Sequence, residues 1–297
     1  GYDFAYKFLL KNQALVCVDE STTIKNHSAQ RTKNILKLSK HSKYRRIMTG
    51  SPVTKSPLDL FSQVQFLDPW LLDQQSYYSF RARYAVVVQR SVGTHSFQHI
   101  VKYQRLDELQ EKIQNFSTRV LKNDCLDLPE KVYTKRSVSL TGEQVKAYTE
   151  MKKAAITFFE ENVMTAASVL TQMIRLHQII CGHVKTDDGE IKSIKSNRIK
   201  ELLEVLEETD GKVIIWAVYR YDIQQIEKTL GEKYGKESVA TYYGDTKDNI
   251  RQSVVDRFMD PDDPLRFFVG NPKTGGYGLT LTSSHTVVYY SNDYSLE

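Results

Sequence analysis

Short apolar runs of strand length, each ending on polar residues, constrain this sequence more than any other feature. In the first half VCV, which is predicted to be a buried parallel strand, runs into Asp19-Glu20, and RRIM runs into Thr49. In the second half the runs are KVIIWA, VATYYGD, RFFVGNP and TVVYYSND. Segments with helical spacing, such as residues 58–67, separate these runs. Strand and helix in alternation predict an α/β fold built on parallel sheets flanked by helices.

Ligands of such sheets bind where the strands end at their carboxyl side. Six residues are predicted to fall there: Asp19, Thr49, Tyr219, Gly244, Asn271 and Asn292. The adjacent carboxylates of Asp19 and Glu20 are costly unless a cation shares their site. Asp19 can hold Mg²⁺ through water, and Glu20 can orient or deprotonate an attacking water, as nucleotide hydrolysis requires. On this dipeptide alone, an ordinary acidic turn or helix cap remains the alternative.

Charge and length narrow the class of protein. The 297 residues suit two domains, and no apolar run approaches the roughly 20 residues of a membrane span. Residues 21–58 contain nine Lys and Arg but no Asp or Glu. This run is either a solvated basic face or a surface that faces phosphate groups. Three scattered cysteines indicate reduced thiols in an intracellular protein, with Cys181 assigned to core packing rather than to a metal.

The rhythm of strands and helices also predicts the domain organisation. Residues 126–129 are predicted as a boundary, which divides the chain into domains 1–130 and 131–297. Between about residues 70 and 118 the alternation of strands and helices is interrupted, and this segment is predicted to be an insertion. RARYAVVVQR, within it, is interpreted as helical or irregular. A helical protrusion is predicted at about residues 142–197. Tyr77, Tyr78, Arg81, Arg83 and Tyr84 pair aromatic rings with guanidinium groups, which fits local packing or base stacking.

Several segments in a fixed order resemble one family. DESTTIKN is followed by MTGSPVTKSPLDLFSQVQFLDP, and later by LTQMIRLHQIICGH, GKVIIWAVYRYDIQQIEKTL and NPKTGGYGLTLTSSHTVVYYSNDYSLE. This series resembles the Swi/Snf-type DNA-dependent ATPases of helicase superfamily two. The resemblance implies two RecA-like lobes, the first incomplete, in a motor that uses ATP and Mg²⁺ to move on double-stranded or branched DNA. The compact form of the chain favours a bacterial or phage-infected cytoplasm, with the nucleus as the other possibility.

The resemblance also implies roles for residues outside the acid pair. Thr49, Gly50 and Ser51 would couple the nucleotide site to the DNA site. The residues that would contact nucleic acid are Lys25, Tyr219, Arg220, Thr246, Arg251, Lys273, Thr274, Gly275 and Gly276. Gly278 would shape the backbone of the same turn, since glycines allow one backbone to approach another closely.

The sequence departs from the family pattern in three places. Thr22 stands where the family has histidine in its acidic motif. No GxxxxGK[ST] phosphate-binding loop occurs, and the arginine motif expected after SNDYSLE is not in the sequence. We therefore expect the 297-residue chain alone to hydrolyse ATP negligibly. A strand-separating or branch-migration helicase and a non-catalytic DNA-binding or partner-docking module remain the alternatives.

Overall fold

The computed structural model describes residues 1–92, 95–127, 129–161, 166–186, 188–276 and 278–292. The chain forms two compact units, Gly1–Glu130 and Lys131–Ser295. Leu128 of the predicted boundary and residues 293–297 of the last predicted motif lie outside the described residues.

The first unit begins with a two-stranded parallel sheet and its helices. Its elements are α1 Tyr2–Lys11, β1 Leu15–Val18, α2 Gln30–Ser39, β2 Tyr44–Ile47, α3 Leu60–Leu67, α4 Tyr77–Tyr84, β3 Ala85–Val92, β4 His95–Tyr103, α5 Leu106–Gln114 and α6 Lys122–Cys125. Short 3₁₀ turns at Ser21–Ile24 and Pro57–Asp59 follow β1 and precede α3. The apolar core of this unit gathers around α3, α4 and the start of β3, with Phe61, Phe80 and Tyr84 at its centre.

Two expectations for the first unit are wrong. The strand β1 was expected to be buried, but Leu15 is 57% exposed, because β1 pairs only with β2 in the described part of the chain. The segment AVVVQR is neither helical nor irregular. It forms β3, which pairs antiparallel with β4 in a second two-stranded sheet. Three consecutive valines favour a strand, since branching at Cβ suits the extended backbone.

The second unit is a four-stranded parallel sheet with helices on both faces, so the predicted α/β class is confirmed. Its elements are α7 Gly142–Glu161, α8 Ala166–Cys181, β5 His183–Lys185, β6 Ile191–Ser193, α9 Arg198–Glu207, β7 Lys212–Trp216, α10 Arg220–Tyr234, β8 Val239–Tyr242, α11 Asp248–Met259, β9 Phe267–Gly270, α12 Pro272–Gly275 and β10 Ser284–Tyr289. The strand order is β10-β7-β9-β8, and β5 pairs with β6 in a separate short hairpin.

Alternation along the central strands explains their unbroken apolar runs. On β7, Val213 and Ile215 pack beneath α9 and α10, whereas Ile214 and Trp216 pack beneath α11. Strand β9 is buried along its whole length. A strand covered on both faces lacks the alternation of apolar and polar residues that is usual for strands. KVIIWA and RFFVG could therefore be recognised as buried strands from their unbroken apolar character.

Candidate functional site

The acid pair lies at the carboxyl end of β1, beside the turn that follows β2. The backbone N–H of Ser21 donates to Met48 O at 3.0 Å, and that of Met48 donates to Val18 O at 2.9 Å. Asp19 and Glu20 are both exposed. The sheet therefore brings the DEST and MTGSP segments together at one edge, as the sequence predicted for residues 19 and 49.

Glu20 adopts a left-handed backbone conformation, with φ 46° and ψ 57°. Its N–H donates to Oδ1 of Asp19 at 2.9 Å, which fixes the neighbouring carboxylate. A non-glycine residue at positive φ costs on the order of 1–2 kcal/mol, and such strain gathers at functional sites. The conformation turns the chain sharply after β1 and leaves the Glu20 side chain in solvent.

A buried polar chain links the acidic turn to the second turn. The hydroxyl of Ser21 donates to Oε1 of Gln63 at 2.6 Å. The amide of Gln63 then donates to Pro52 O at 2.7 Å and to Asp59 O at 2.8 Å. This connection was not predicted from the sequence. The signal that could have revealed it was a glutamine among the apolar residues of α3.

The proposed coupling residues occupy the turn after β2. The hydroxyl of Thr49 accepts the N–H of Ser51 at 3.2 Å, and the hydroxyl of Ser51 donates to Val53 O at 3.1 Å. Gly50 is exposed between them. These bonds shape the turn, and the coupling role of Thr49, Gly50 and Ser51 stays a prediction.

Lys25 is half-buried rather than fully displayed on the surface. Its ammonium group donates to Oγ1 of Thr54 at 2.5 Å. Thr54 in turn donates to Oδ2 of Asp59 through both its hydroxyl and its N–H, each at 3.1 Å. Lys25 therefore helps to hold the loop before α3, and its contact with nucleic acid stays a prediction.

Side chains tie the carboxyl ends of three strands together in the second unit. The amide of Asn271, after β9, donates to Val218 O at 2.8 Å. The N–H of Val218, after β7, donates to Oγ of Ser291 at 2.9 Å, and that hydroxyl donates to Asp222 at 3.2 Å. This edge is where the sequence placed Tyr219, Asn271 and Asn292.

Titratable groups, most of them buried, lie under the same edge, and no role was predicted for most of them. Nδ1 of His183 lies 3.3 Å from Oδ1 of Asp222 without forming a hydrogen bond. Burial lowers the pKa of His177, whose Nδ1 is 2.8 Å from the hydroxyl of Tyr219. Burial, followed by the Asp222 charge, raises the pKa of Cys181 to about 12.

Other predicted DNA-contact residues make bonds within the second unit. Arg220 pairs with Asp245 at 3.0 Å, and both side chains are largely exposed. The hydroxyl of Thr246 accepts the N–H of Tyr243 at 3.1 Å, while Arg251 donates to Thr246 O at 3.1 Å. Arg251 also pairs with Asp248. Thr246 and Arg251 thus shape the loop after β8.

The glycines of the turn after β9 are crowded from inside the protein. A Cβ on Gly275 would lie 3.1 Å from ring carbons of Trp216, and one on Gly276 would lie 2.3 Å from Pro272 O. Internal packing therefore demands glycine at position 276 and disfavours a larger residue at position 275, without any ligand. Gly278 has φ +74°, which fits its predicted backbone-shaping role.

Lys273 and Thr274 belong to the same turn. The side chain of Asn271 accepts the N–H of Lys273 at 2.9 Å and begins the short helix α12. Lys273 is exposed and Thr274 is half-buried. The structure brings both residues to the carboxyl edge of the sheet, and their contact with phosphate groups stays a prediction.

The described residues hold no cluster of three or more His, Cys, Asp and Glu that could bind a metal ion. Magnesium bound to a nucleotide needs fewer protein ligands, because phosphates and water fill most of its octahedral shell. Asp19 fits that need, since its carboxylate is exposed at the end of β1. None of the described helices has the length and apolar character required to cross a bilayer.

Comparisons with known proteins identify the family. The SNF2-related domain matches residues 7–185, and the helicase conserved C-terminal domain matches residues 194–297. YwqA of Bacillus subtilis is 27% identical over 93% of this chain and 29% of its own length. Subunit snf22 of the SWI/SNF chromatin-remodeling complex of Schizosaccharomyces pombe is 25% identical over 98% of this chain and 19% of its own length.

Among solved structures, the SWI2/SNF2 ATPase core domain of Sulfolobus solfataricus is similar, with 25% identity and a TM-score of 0.46. The similarity covers 98% of this chain and 59% of that structure. The chain thus spans between 19% and 29% of the length of the two curated relatives. The resemblance read from the motifs is confirmed. Because the SNF2-related domain covers more than half of its residues, the chain belongs to the SNF2-related family.

Proposed function

We propose that this chain is part of an ATP-dependent motor that moves along double-stranded DNA. The observation that carries the proposal is the exposed Asp19-Glu20 pair at the end of β1, held in a strained turn beside the MTGSP turn. The names of the relatives support it. YwqA is named for an ATP-dependent helicase/translocase activity, and snf22 for chromatin remodelling.

In this mechanism the two carboxylates have different tasks. Asp19 would hold Mg²⁺ through water, and the bound ion would supply positive charge beside the nucleotide phosphates. Glu20 accepts a proton from the attacking water or orients it, because its side chain is exposed beyond the strand end. The hydrogen bond from the Glu20 N–H to Asp19 fixes the first carboxylate relative to the second.

Coupling to DNA would pass through the turn after β2. The Ser21–Gln63–Pro52 hydrogen bonds connect the acidic turn rigidly to the segment that contains Thr49, Gly50 and Ser51. On the DNA side, Lys273, Thr274 and Arg220 stand at the carboxyl edge of the second sheet, with Lys273 and the Arg220 side chain exposed. Contacts of this kind are made with phosphate groups, so binding would weaken steeply with salt and show little sequence preference.

The experiment compares ATP hydrolysis by the natural protein that contains this sequence with that of Glu20→Gln. The amide keeps the shape of Glu20 but cannot accept the proton, so hydrolysis should fall by about 10²–10⁴-fold. Glu111→Gln on α5 is the matched control, because this exposed glutamate lies in a different element. Hydrolysis by Glu20→Gln at the wild-type rate would disprove the catalytic role.

The kind of motor is tested on DNA. A translocase should be stimulated by duplex DNA and displace a bound protein or a third strand without separating the duplex. Efficient separation of the two strands of a duplex would instead assign the chain to a helicase on the same scaffold. Mg²⁺ removal by a chelator should abolish hydrolysis and leave duplex binding in place.

A further inference from the structure

Strands β3 and β4, residues 85–92 and 95–103, form an antiparallel two-stranded ribbon in the first unit. Its base is anchored, because Val87, Ile100 and Tyr103 pack against the apolar core of the unit. Its outer part, residues 88–91 and 96–99, is exposed on both faces. Two-stranded ribbons are marginally stable in water by themselves, so an exposed outer part of about 13 Å along each strand calls for a reason.

The register of the strands sorts the side chains onto two faces. One face continues from the core and carries only uncharged polar residues, in the pairs Gln89–Gln98 and Ser91–Ser96. The opposite face carries the pairs Val86–Lys102, Val88–His99 and Arg90–Phe97. The register shifts between Val86 and Val87, where β4 carries one extra residue. This shift places Lys102 on the same face as His99, although the two are three residues apart, so Arg90, His99 and Lys102 form one row. We call this row the basic face of the ribbon.

The charge around the basic face is uncompensated. Between Asp73 and Asp107 the sequence has five Lys and Arg and no acidic residue. Arg83 is neutralised by a two-bond pair with Glu108, and Arg81 donates to Gln98 on the other face. Within the part of the chain that the structure describes, neither Arg90 nor Lys102 has a side-chain partner.

Apolar side chains alternate with these cations. Phe97 is 47% exposed and Val101 is 55% exposed. The cations of the ribbon are complementary to the phosphates of a nucleic acid, and its exposed apolar groups can contact base edges and sugars. The major groove of B-DNA admits a two-stranded ribbon of this width, and its phosphates reward unpaired Arg and Lys.

We propose that the basic face of the β3–β4 ribbon binds duplex DNA, with Arg90 and Lys102 contacting phosphate groups. The choice of DNA as the polyanion rests on the proposed motor function. The ribbon contains none of the residues predicted to contact nucleic acid, so it is a contact additional to those predicted at the second sheet. The contact would increase the affinity of the first unit for duplex DNA.

The test measures binding of a fluorescent duplex by anisotropy, at a series of salt concentrations, for this 297-residue chain. Arg90→Ala with Lys102→Ala removes both cations. Log K for binding falls as log salt rises, and each lost phosphate contact makes this slope shallower by about 1. The slope should therefore become shallower by about 2, and the affinity should drop at least about tenfold near 0.1 M salt.

Two comparisons separate a specific contact from loss of net charge. Lys228→Ala with Lys236→Ala removes two exposed cations from the second unit and should leave the slope near that of the wild type. Arg90→Lys with Lys102→Arg keeps both charges and should restore binding. All four side chains are exposed, so the thermal unfolding temperature should be unchanged.

An unchanged duplex affinity and slope for the Arg90 and Lys102 double variant would overturn the proposal. So would an equal loss in the Lys228 and Lys236 variant, or a loss confined to a single-stranded oligonucleotide of the same length.

The motor function is judged separately by Glu20→Gln. If that variant is inactive while the ribbon variant binds duplex DNA normally, the motor stands and the ribbon contact fails. If the ribbon variant loses binding and the natural protein does not hydrolyse ATP, the ribbon contact stands and the motor fails.

Discussion

The hydroxyl of Ser21 donates a 2.6 Å hydrogen bond to Oε1 of Gln63, and both side chains are fully buried. These residues are far apart in sequence, so the bond fixes the turn after β1 against helix α3. Because Gln63 also donates to Pro52 O, one side chain holds the turns after both strands of the first sheet. The hydrogen bonds of Gln63 therefore join the acidic turn to the segment that follows β2.

Ser21→Ala should destabilise the first unit. The substitution leaves Oε1 of Gln63 buried without a donor, which costs about 1–3 kcal/mol of unfolding free energy. Urea denaturation followed by circular dichroism would measure the loss. Thr23→Ala is the control, since the Thr23 side chain is exposed in the same turn. Equal stability of the two variants would show that the buried bond contributes nothing.

The second unit was largely predictable from the sequence because its central strands are buried on both faces. Unbroken apolar runs such as residues 212–217 and 266–270 are typical of strands buried on both faces, and both form such strands. Polar residues after each run then marked the carboxyl edge, where Asn271 and Ser291 were found. Apolar runs and the polar residues that follow them were enough to predict where this edge lies.

The first unit was harder to predict because the structure of its strands depends on which other strands pair with them. The run AVVV follows a helix directly, and only pairing with β4 made it a strand. The exposure of β1 depends on how many strands lie beside it, which one strand's sequence does not encode. The Ser21–Gln63 bond joins residues whose polar character reads as ordinary surface until the fold buries them.

Asp222→Ala should destabilise the second unit more than an exposed substitution does. Asp222 accepts the Ser291 hydroxyl and faces His183, and both acid and imidazole are about 2% exposed. Removing the carboxylate leaves both partners buried without it, at a cost of about 2–4 kcal/mol. Fluorescence of Trp216 in the central strand would follow urea unfolding. Asp210→Ala, at an exposed position, should cost less than about 0.5 kcal/mol.

The pH dependence of the first unit should reflect Glu108. Its hydrogen bonds with Arg83, and then with Tyr84, lower the pKa of the carboxyl from 4.5 to about 2. A folded-state pKa below the ordinary value means that ionised Glu108 contributes stability above about pH 4.5 and loses it as the pH falls toward about 2. Glu108→Gln should therefore be less stable than the wild type at neutral pH, and the two unfolding midpoints should converge at low pH. A constant difference across that range would contradict the assignment.

The three cysteines should differ in reactivity. Cys17 and Cys125 are exposed, whereas Cys181 is buried and its pKa is raised to about 12 by burial and by the Asp222 charge. Because the thiolate is the reactive form, Cys181 should stay unmodified in the native protein at neutral pH. Mass spectrometry after iodoacetamide treatment should find label on Cys17 and Cys125 alone, and on all three residues in urea. Rapid native labelling of Cys181, at the rate of Cys17, would mean that the C-terminal end of α8 opens readily and that the packing of Cys181 is wrong.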